Sequence, residues 1–201
     1  KSSESGLKLI MSAAFSSAVM LFGVSLIYGQ FGTLYFSELL SSDMTSPLAI
    51  LAFLMFISGL SFKISLVPFH FWTADVYEGA PTNVTSYLSV ISKGAAVFIF
   101  NILLFTVFRN IVDVWSDILY ALAVLTMTIG NLFAIRQTNI KRFLAFSSVA
   151  QAGFILLGLL GTNELGMATV VYFILIYIFS NLAAFGVIAA IEAKTNKVNI
   201  D

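Results

Sequence analysis

Long stretches of this chain carry no charge, and their lengths decide what it can fold into. No Asp, Glu, Lys or Arg occurs at residues 9–37, 44–62, 64–74, 94–108, 118–135, 143–163 or 165–191. A bilayer core about 30 Å thick takes ~20 apolar residues as a helix. In lipid, only helices and closed barrels satisfy their own backbone groups. The runs are longer than barrel strands and do not alternate, so they read as helices. The chain is 59% hydrophobic and 10% charged, with a mean hydropathy of +0.98. A soluble domain is nearer about 25% charged, so a soluble helical domain could not cover this much apolar surface.

Six spans result, at roughly 6–29, 47–78, 82–108, 114–135, 142–162 and 166–191. The expectation is an all-α, polytopic transmembrane bundle that forms a single domain over residues 1–201. Turn chemistry marks the joints: YGQFG, SSDMTSP, EGAPT, RNIVD, RQTNIKR and GTNELG. The opening KSSESGLK reads as a loop, and the chain as a fragment of a longer protein. With an even number of spans both ends share a side. Seven of the ten basic residues (Lys1, Lys8, Arg136, Lys141, Arg142, Lys194 and Lys197) fall on that side, and Arg109 alone on the other. The positive-inside rule therefore places both ends in the cytoplasm.

Composition also excludes chemistry. There is no cysteine, hence no thiolate metal site, disulfide or iron–sulfur ligation in this chain. A lone histidine, His70, argues against a metal cluster, and zero net charge leaves no basic field for nucleic acid. No Gly-rich dinucleotide loop is present.

The two remaining basic residues lie inside spans. As one helix the second span would be ~48 Å long, too long for one straight crossing. Pro68 offers the break, because it lacks an amide donor and its ring clashes with the preceding turn. Lys63 lies ~22 Å into that span and Lys93 ~16 Å into the next, so both sit near mid-bilayer. Snorkelling reaches only a few Å, and a lipid-facing charge at that depth costs ~3 kcal/mol. Two such lysines are better placed facing a bundle interior or a hydrated cavity. Burial penalises a lysine's charged form, and a broken helix offers free backbone groups to water or ions. A lysine half a membrane from each side, beside a helix break, reads as a proton relay; satisfied polar contacts in a bundle are the bland alternative.

Weaker features follow. Glu4 and Lys8, four apart, suit an ion pair at a helix start worth a few tenths of a kcal/mol. Asn101 and Asn131 suit helix–helix hydrogen bonds, and FSSVAQAGF at 146–154 suits close packing through small residues or a water-lined path. Gln151 suits either. Trp72 and Tyr77 suit an interfacial aromatic belt.

FKISLVPFHFWTADVYEGAPTNVTSYLSVISKGAA and RQTNIKRFLAFSSVAQAGF resemble the antiporter-like membrane subunits of respiratory complex I over essentially the whole chain. The resemblance implies a fold of about fourteen helices with inverted five-helix repeats, of which this chain covers about the sixth to eleventh. It implies a proton-translocating subunit of an NADH:quinone oxidoreductase in a bacterial inner membrane, partnered by other membrane-arm subunits, the bilayer and protons. Flavin, iron–sulfur clusters and quinone belong to other subunits, with no cofactor or metal here. By the same resemblance Lys63 is the proton-carrying lysine of the broken helix and Lys93 the bridging lysine of the next. Lys8 and Glu4 match a further lysine and a nearby acid, giving a relay or uptake role. A glutamate expected to pair with Lys63 lies upstream of Lys1, and a second broken helix lies beyond Asp201. Ala74, Asn83 and Phe146 depart from the family pattern without removing a titratable group, and Gln151 stands where some relatives have histidine. Two other readings stay open: a subunit of a cation/proton antiporter or membrane-bound hydrogenase, which DVYEGAP disfavours, and a non-pumping structural subunit.

Overall fold

Helices follow the charge-free runs. The computed structural model describes residues 2–161, 164–195 and 198–199; Lys1, Lys197 and the joint residues Thr162 and Asn163 lie outside them. Its helices are α1 (Ser2–Phe31), α2 (Phe36–Leu40), α3 (Pro47–Ile64), α4 (Phe71–Gly79), α5 (Thr82–Tyr87), α6 (Lys93–Thr106), α7 (Val112–Ile135), α8 (Ile140–Leu160) and α9 (Glu164–Thr195). A π turn (Leu88–Ser92) joins α5 to α6, and a 3₁₀ turn (Arg109–Ile111) precedes α7. No strand occurs among the described residues, and one isolated bridge pairs Asn139 with Asn199. Six helical stretches, at α1, α3, α5–α6, α7, α8 and α9, are long and apolar enough to cross a membrane. The protein is an all-α, multi-pass membrane protein.

The chain is helical from Ser2, where a loop was expected, and Glu4 in the first turn suits the positive end of the helix dipole. The five-residue α2 was not expected, being too short to show a period. Ser46 caps α3 through the amide of Ala49, at 3.2 Å, ahead of Pro47. Asn139 caps α8 by accepting from the amides of Lys141 and Arg142, at 2.9 and 3.2 Å.

The expected break in the second span is present, and it starts ahead of Pro68. A proline at 68 would drive its ring into the carbonyl of residue 64 if the helix continued, and α3 stops at Ile64. Ser65 takes the left-handed conformation, φ 66° and ψ 40°. Its amide bonds the Phe62 carbonyl at 3.0 Å and the Leu66 amide bonds the Ser61 carbonyl at 2.9 Å. That pair of bonds is a Schellman closure. The Val67 amide donates to Thr126 Oγ1 of α7 at 3.1 Å, and Trp72 Nε1 donates to the Phe62 carbonyl at 3.1 Å. Backbone groups freed by the break thus find partners inside protein, as a lipid environment demands. Neither aromatic sits in the expected interfacial belt: Trp72 is buried against the break and Tyr77 is fully buried in the bundle.

Close helix contacts set the rest. A Cβ on Gly130 of α7 would lie 2.7 Å from the Ala150 amide nitrogen of α8, and one on Gly153 would lie 2.6 Å from Met127 Cγ. Gly23 and Gly59 make the corresponding approach between α1 and α3. Small residues let membrane helices come together where the hydrophobic effect cannot press them, so 146–154 does pack closely. Asn131, by contrast, bonds the Met127 carbonyl of its own helix at 2.9 Å rather than a neighbour. The start of α1, the α4–α5 joint, the start of α8 and the end of α9 share one face, tied by the ion pairs described below. On the opposite face Asn110 Nδ2 donates to the carbonyls of Leu40 and Ser42, at 2.9 and 3.2 Å.

Candidate functional site

Lys93 opens α6 directly after the π turn, and it is 1% exposed. π turns add a residue to one turn of helix and frequently occur at functional sites. The ammonium nitrogen donates to Ser148 Oγ at 2.5 Å and to the Ser148 carbonyl at 3.1 Å. Tyr177 of α9 donates its hydroxyl to Ser148 Oγ at 3.0 Å and lies 3.2 Å from Ser89 Oγ. Ser89 sits one turn before Lys93, so α5–α6, α8 and α9 meet at this network. No carboxylate pairs with Lys93 among the described residues. The amine here has only neutral partners, a hydroxyl and a backbone carbonyl, an arrangement in which neither protonation state is locked by a counter-charge.

Lys63 is placed differently. It lies in the last turn of α3 with its side chain exposed on this chain, and it has no hydrogen-bond or ion-pair partner among the described residues. It borders a cavity of about 180 Å³ together with Ser16, Ser17, Gly59, Trp72 and Ser92. Ser92 precedes Lys93, so the cavity leads from Lys63 to the turn that carries Lys93. The two lysines do not touch. Five buried side-chain polar atoms without partners lie on the broken segment: Ser61 Oγ, Ser65 Oγ, His70 Nδ1, Thr73 Oγ1 and Tyr77 Oη.

Glu4 and Lys8 form their pair at 3.1 Å, within a larger cluster. Lys8 also binds Asp75 at 2.8 Å; Arg142 binds Asp75 and Glu78, each at 2.9 Å. These side chains line an open cavity of about 190 Å³. A second cluster on the same face is more enclosed. Lys141, 4% exposed, binds Glu192 at 3.1 Å and reaches the Ala80 carbonyl at 3.4 Å, while the other Glu192 oxygen accepts from the Thr82 hydroxyl.

Sequence reasoning counted Lys141 among loop charges, passed over Glu192 and Tyr177, and took Ser148 only as part of the 146–154 stretch. One signal was available. Lys141 and Ser148 are seven apart, on one face of α8, as are Thr82, Thr85 and Ser89 on α5 and its π turn. Nothing in the chain marked Tyr177, which stands in an unbroken apolar run.

Comparison with known proteins gives a consistent set. Residues 1–201 match the family described as NADH:quinone oxidoreductase/Mrp antiporter, transmembrane. A protein named NADH-quinone oxidoreductase subunit N from Azobacteroides pseudotrichonymphae is 56% identical over 196 residues, covering 98% of this chain and 41% of that protein. One of the same name from Phocaeicola vulgatus is 55% identical over 195 residues, covering 97% and 41%. Among solved structures, a chain of the Mrp complex from Dietzia sp. superposes with a TM-score of 0.87 at 26% identity, over 94% of this chain and 35% of that one. A chain of respiratory complex I from Thermus thermophilus gives 0.74 at 35% identity, over 92% and 40%. The chain spans about two fifths of the length of the curated relatives it matches.

Proposed function

Because this chain belongs to the NADH:quinone oxidoreductase/Mrp antiporter membrane family, we propose that it is part of a proton-translocating membrane-arm subunit of an NADH:quinone oxidoreductase. It moves protons while other subunits carry the flavin, the clusters and the quinone chemistry. Lys63, at the helix break, takes up and releases a proton, and Lys93 passes it through the bundle. Glu4 and Lys8 gather protons at the surface of the face that holds both described ends. We place that face in the cytoplasm of a bacterial inner membrane, from the bias of Lys and Arg toward it, and take residues 1–201 as one transmembrane unit.

The observation that carries the reading is Lys93: a fully buried amine held by Ser148, whose hydroxyl also accepts from Tyr177, with no counter-ion among the described residues. A structural lysine at this depth calls for a carboxylate partner, because an unpaired buried charge is costly; a relay lysine does without one. The identities of 56% and 55% to subunit N proteins, against 26% to the Mrp chain, favour this over the antiporter reading.

The test uses Lys63→Met and Lys93→Met, each in the full-length subunit within its assembled complex. NADH-driven acidification of inverted vesicles is followed beside NADH oxidation, with assembly checked on native gels. Both rates fall together if the lysines relay protons. Wild-type pumping and proton-to-electron ratio in both variants would defeat the proposal.

A further inference from the structure

The π turn decides which way Lys93 faces. It adds one residue to the helix just ahead of the lysine. Continued from α5 as plain α-helix, residue 93 would stand about 100° further round, where Gly94 is now. That position looks toward α9: a Cβ on Gly94 would meet Ile174 Cγ2 at 3.7 Å. With the extra residue in place, Lys93 looks toward α8 and donates to both oxygens of Ser148. A widened turn is rare inside helices, and contacts from outside the helix stabilise this one. The Tyr177 hydroxyl of α9 lies 3.2 Å from the Ser89 hydroxyl and 3.3 Å from the Ser89 carbonyl, both within the turn. The same hydroxyl donates to Ser148 Oγ at 3.0 Å. Ser89, Ser148 and Tyr177 are all buried, where a hydrogen bond is electrostatically stronger than in water.

We infer that Tyr177 is a positioning residue for Lys93: its hydroxyl fastens the π turn to α8 and so keeps the lysine turned toward Ser148. This deepens the reading of Lys93 as a relay and rests on it. Tyr177 bonds the two serines, not the Lys93 nitrogen, and acts through them. Its one proton goes to Ser148 Oγ or to the Ser89 carbonyl, and its oxygen can accept from the Ser89 hydroxyl. One tyrosine thus joins the turn that carries the lysine to the residue that receives it. Proton transfer is sensitive to such placement, since a displacement of about 1 Å can cost roughly a hundredfold. Tyr177 is the titratable group that meets this site from α9, α8 brings the neutral Ser148, and no carboxylate pairs with Lys93 among the described residues.

The competing explanation is packing, with the Tyr177 ring filling space between α9 and the turn. Phenylalanine keeps the ring and loses the hydroxyl, so it separates the two. In the full-length subunit within its assembled complex, Tyr177→Phe, Ser89→Ala and the two together are compared, with Lys93→Met beside them. Acidification of inverted vesicles is measured against NADH oxidation over a range of pH. Backbone amide exchange is followed in peptides covering residues 88–94, and native gels report assembly. In Tyr177→Phe those amides exchange about 2- to 10-fold faster, as for the loss of one hydrogen bond. Pumping falls roughly tenfold, and its pH profile is displaced by about half to one unit. Ser89→Ala moves all three the same way by less, because the Ser89 carbonyl stays, and it carries the same test should Tyr177→Phe fail to assemble. The double change costs no more than Tyr177→Phe alone, since both remove one shared contact. Wild-type exchange, rate and pH profile in Tyr177→Phe, with Lys93→Met inactive, would leave Tyr177 as packing and overturn the positioning role while the relay stands. Slower pumping with exchange and profile unmoved would overturn it too. Normal pumping in Lys93→Met would sink the relay reading itself.

Discussion

Replacing Lys93 with methionine should make the protein more stable while it stops working. Lys93 is 1% exposed and sits within a span. A charged lysine at the centre of a membrane helix costs about 2.5–3.5 kcal/mol on insertion scales. A carboxylate partner would offset much of that, and none is present among the described residues; two hydrogen bonds to one serine are the whole return. Methionine fills a similar volume without charge and strands nothing. Ser148 Oγ keeps the Tyr177 hydroxyl at 3.0 Å, and the Ser148 carbonyl keeps its place in α8. Removal of a buried charge with no orphaned partner is commonly neutral or stabilising by ~1–4 kcal/mol, so a gain of about 1–3 kcal/mol is expected. The assay is thermal unfolding of the purified full-length subunit in one detergent, wild type beside variant, with pumping measured separately. A lowered midpoint in Lys93→Met would refute the reasoning, because it would make the lysine a net contributor to the fold. A raised midpoint with pumping lost identifies a residue kept at the expense of stability.

Three further outcomes are expected. Gly130→Val forces a side chain onto the Ala150 backbone at under 3 Å, so α7 and α8 must part at a cost of about 1–3 kcal/mol; Gly6→Ala, with nothing within 4 Å, serves as the neutral comparison in the same melts. Trp72→Phe keeps the ring against Phe62 and loses the indole bond to the Phe62 carbonyl, lowering stability by ~1 kcal/mol and exposing the break to faster backbone amide exchange. In the loop before α3, the Thr45 hydroxyl and amide bind Asp43 and hold its carboxyl below the usual carboxylate range. A depressed folded pKa contributes stability above the unfolded value that is lost as pH falls through the folded one, so wild type and Asp43→Asn should converge in acid and differ near neutrality, read by melts across that range.

The membrane crossings were legible because absence of charge over a helix's length has few other meanings. The broken span was legible from its excess length and from Pro68, although the stop falls at Ser65 because the proline acts on the carbonyl four residues back. Lys93 was legible as buried. Lys63 shows the limit: depth follows from position in a span, but which way a side chain faces depends on neighbouring helices. Tyr177 and Ser148 were illegible for a related reason. Each is an ordinary residue in an apolar helix, and only the crossing of α6, α8 and α9 brings the Tyr177 hydroxyl to Ser148 and Ser148 to the Lys93 nitrogen. Glu192 and Lys141 looked like tail and loop charges because sequence spacing hides that the end of α9 returns to the start of α8.

The open charge cluster on the terminal face can be tested for a part in proton gathering. Asp75 bridges Lys8 and Arg142, yet each cation keeps a second acid, Glu4 for one and Glu78 for the other. The side chains of Lys8 and Asp75 are more than a third exposed. Pairs this open contribute under about 1 kcal/mol, so Asp75→Asn should assemble normally and shift the melting midpoint little. If the open cluster only gathers protons, pumping in Asp75→Asn should stay near wild type at high buffer concentration, where gathering is not limiting. An Asp75→Asn variant that assembles normally yet fails to pump at high buffer would instead make the cavity between Lys8 and Arg142 part of the proton path itself.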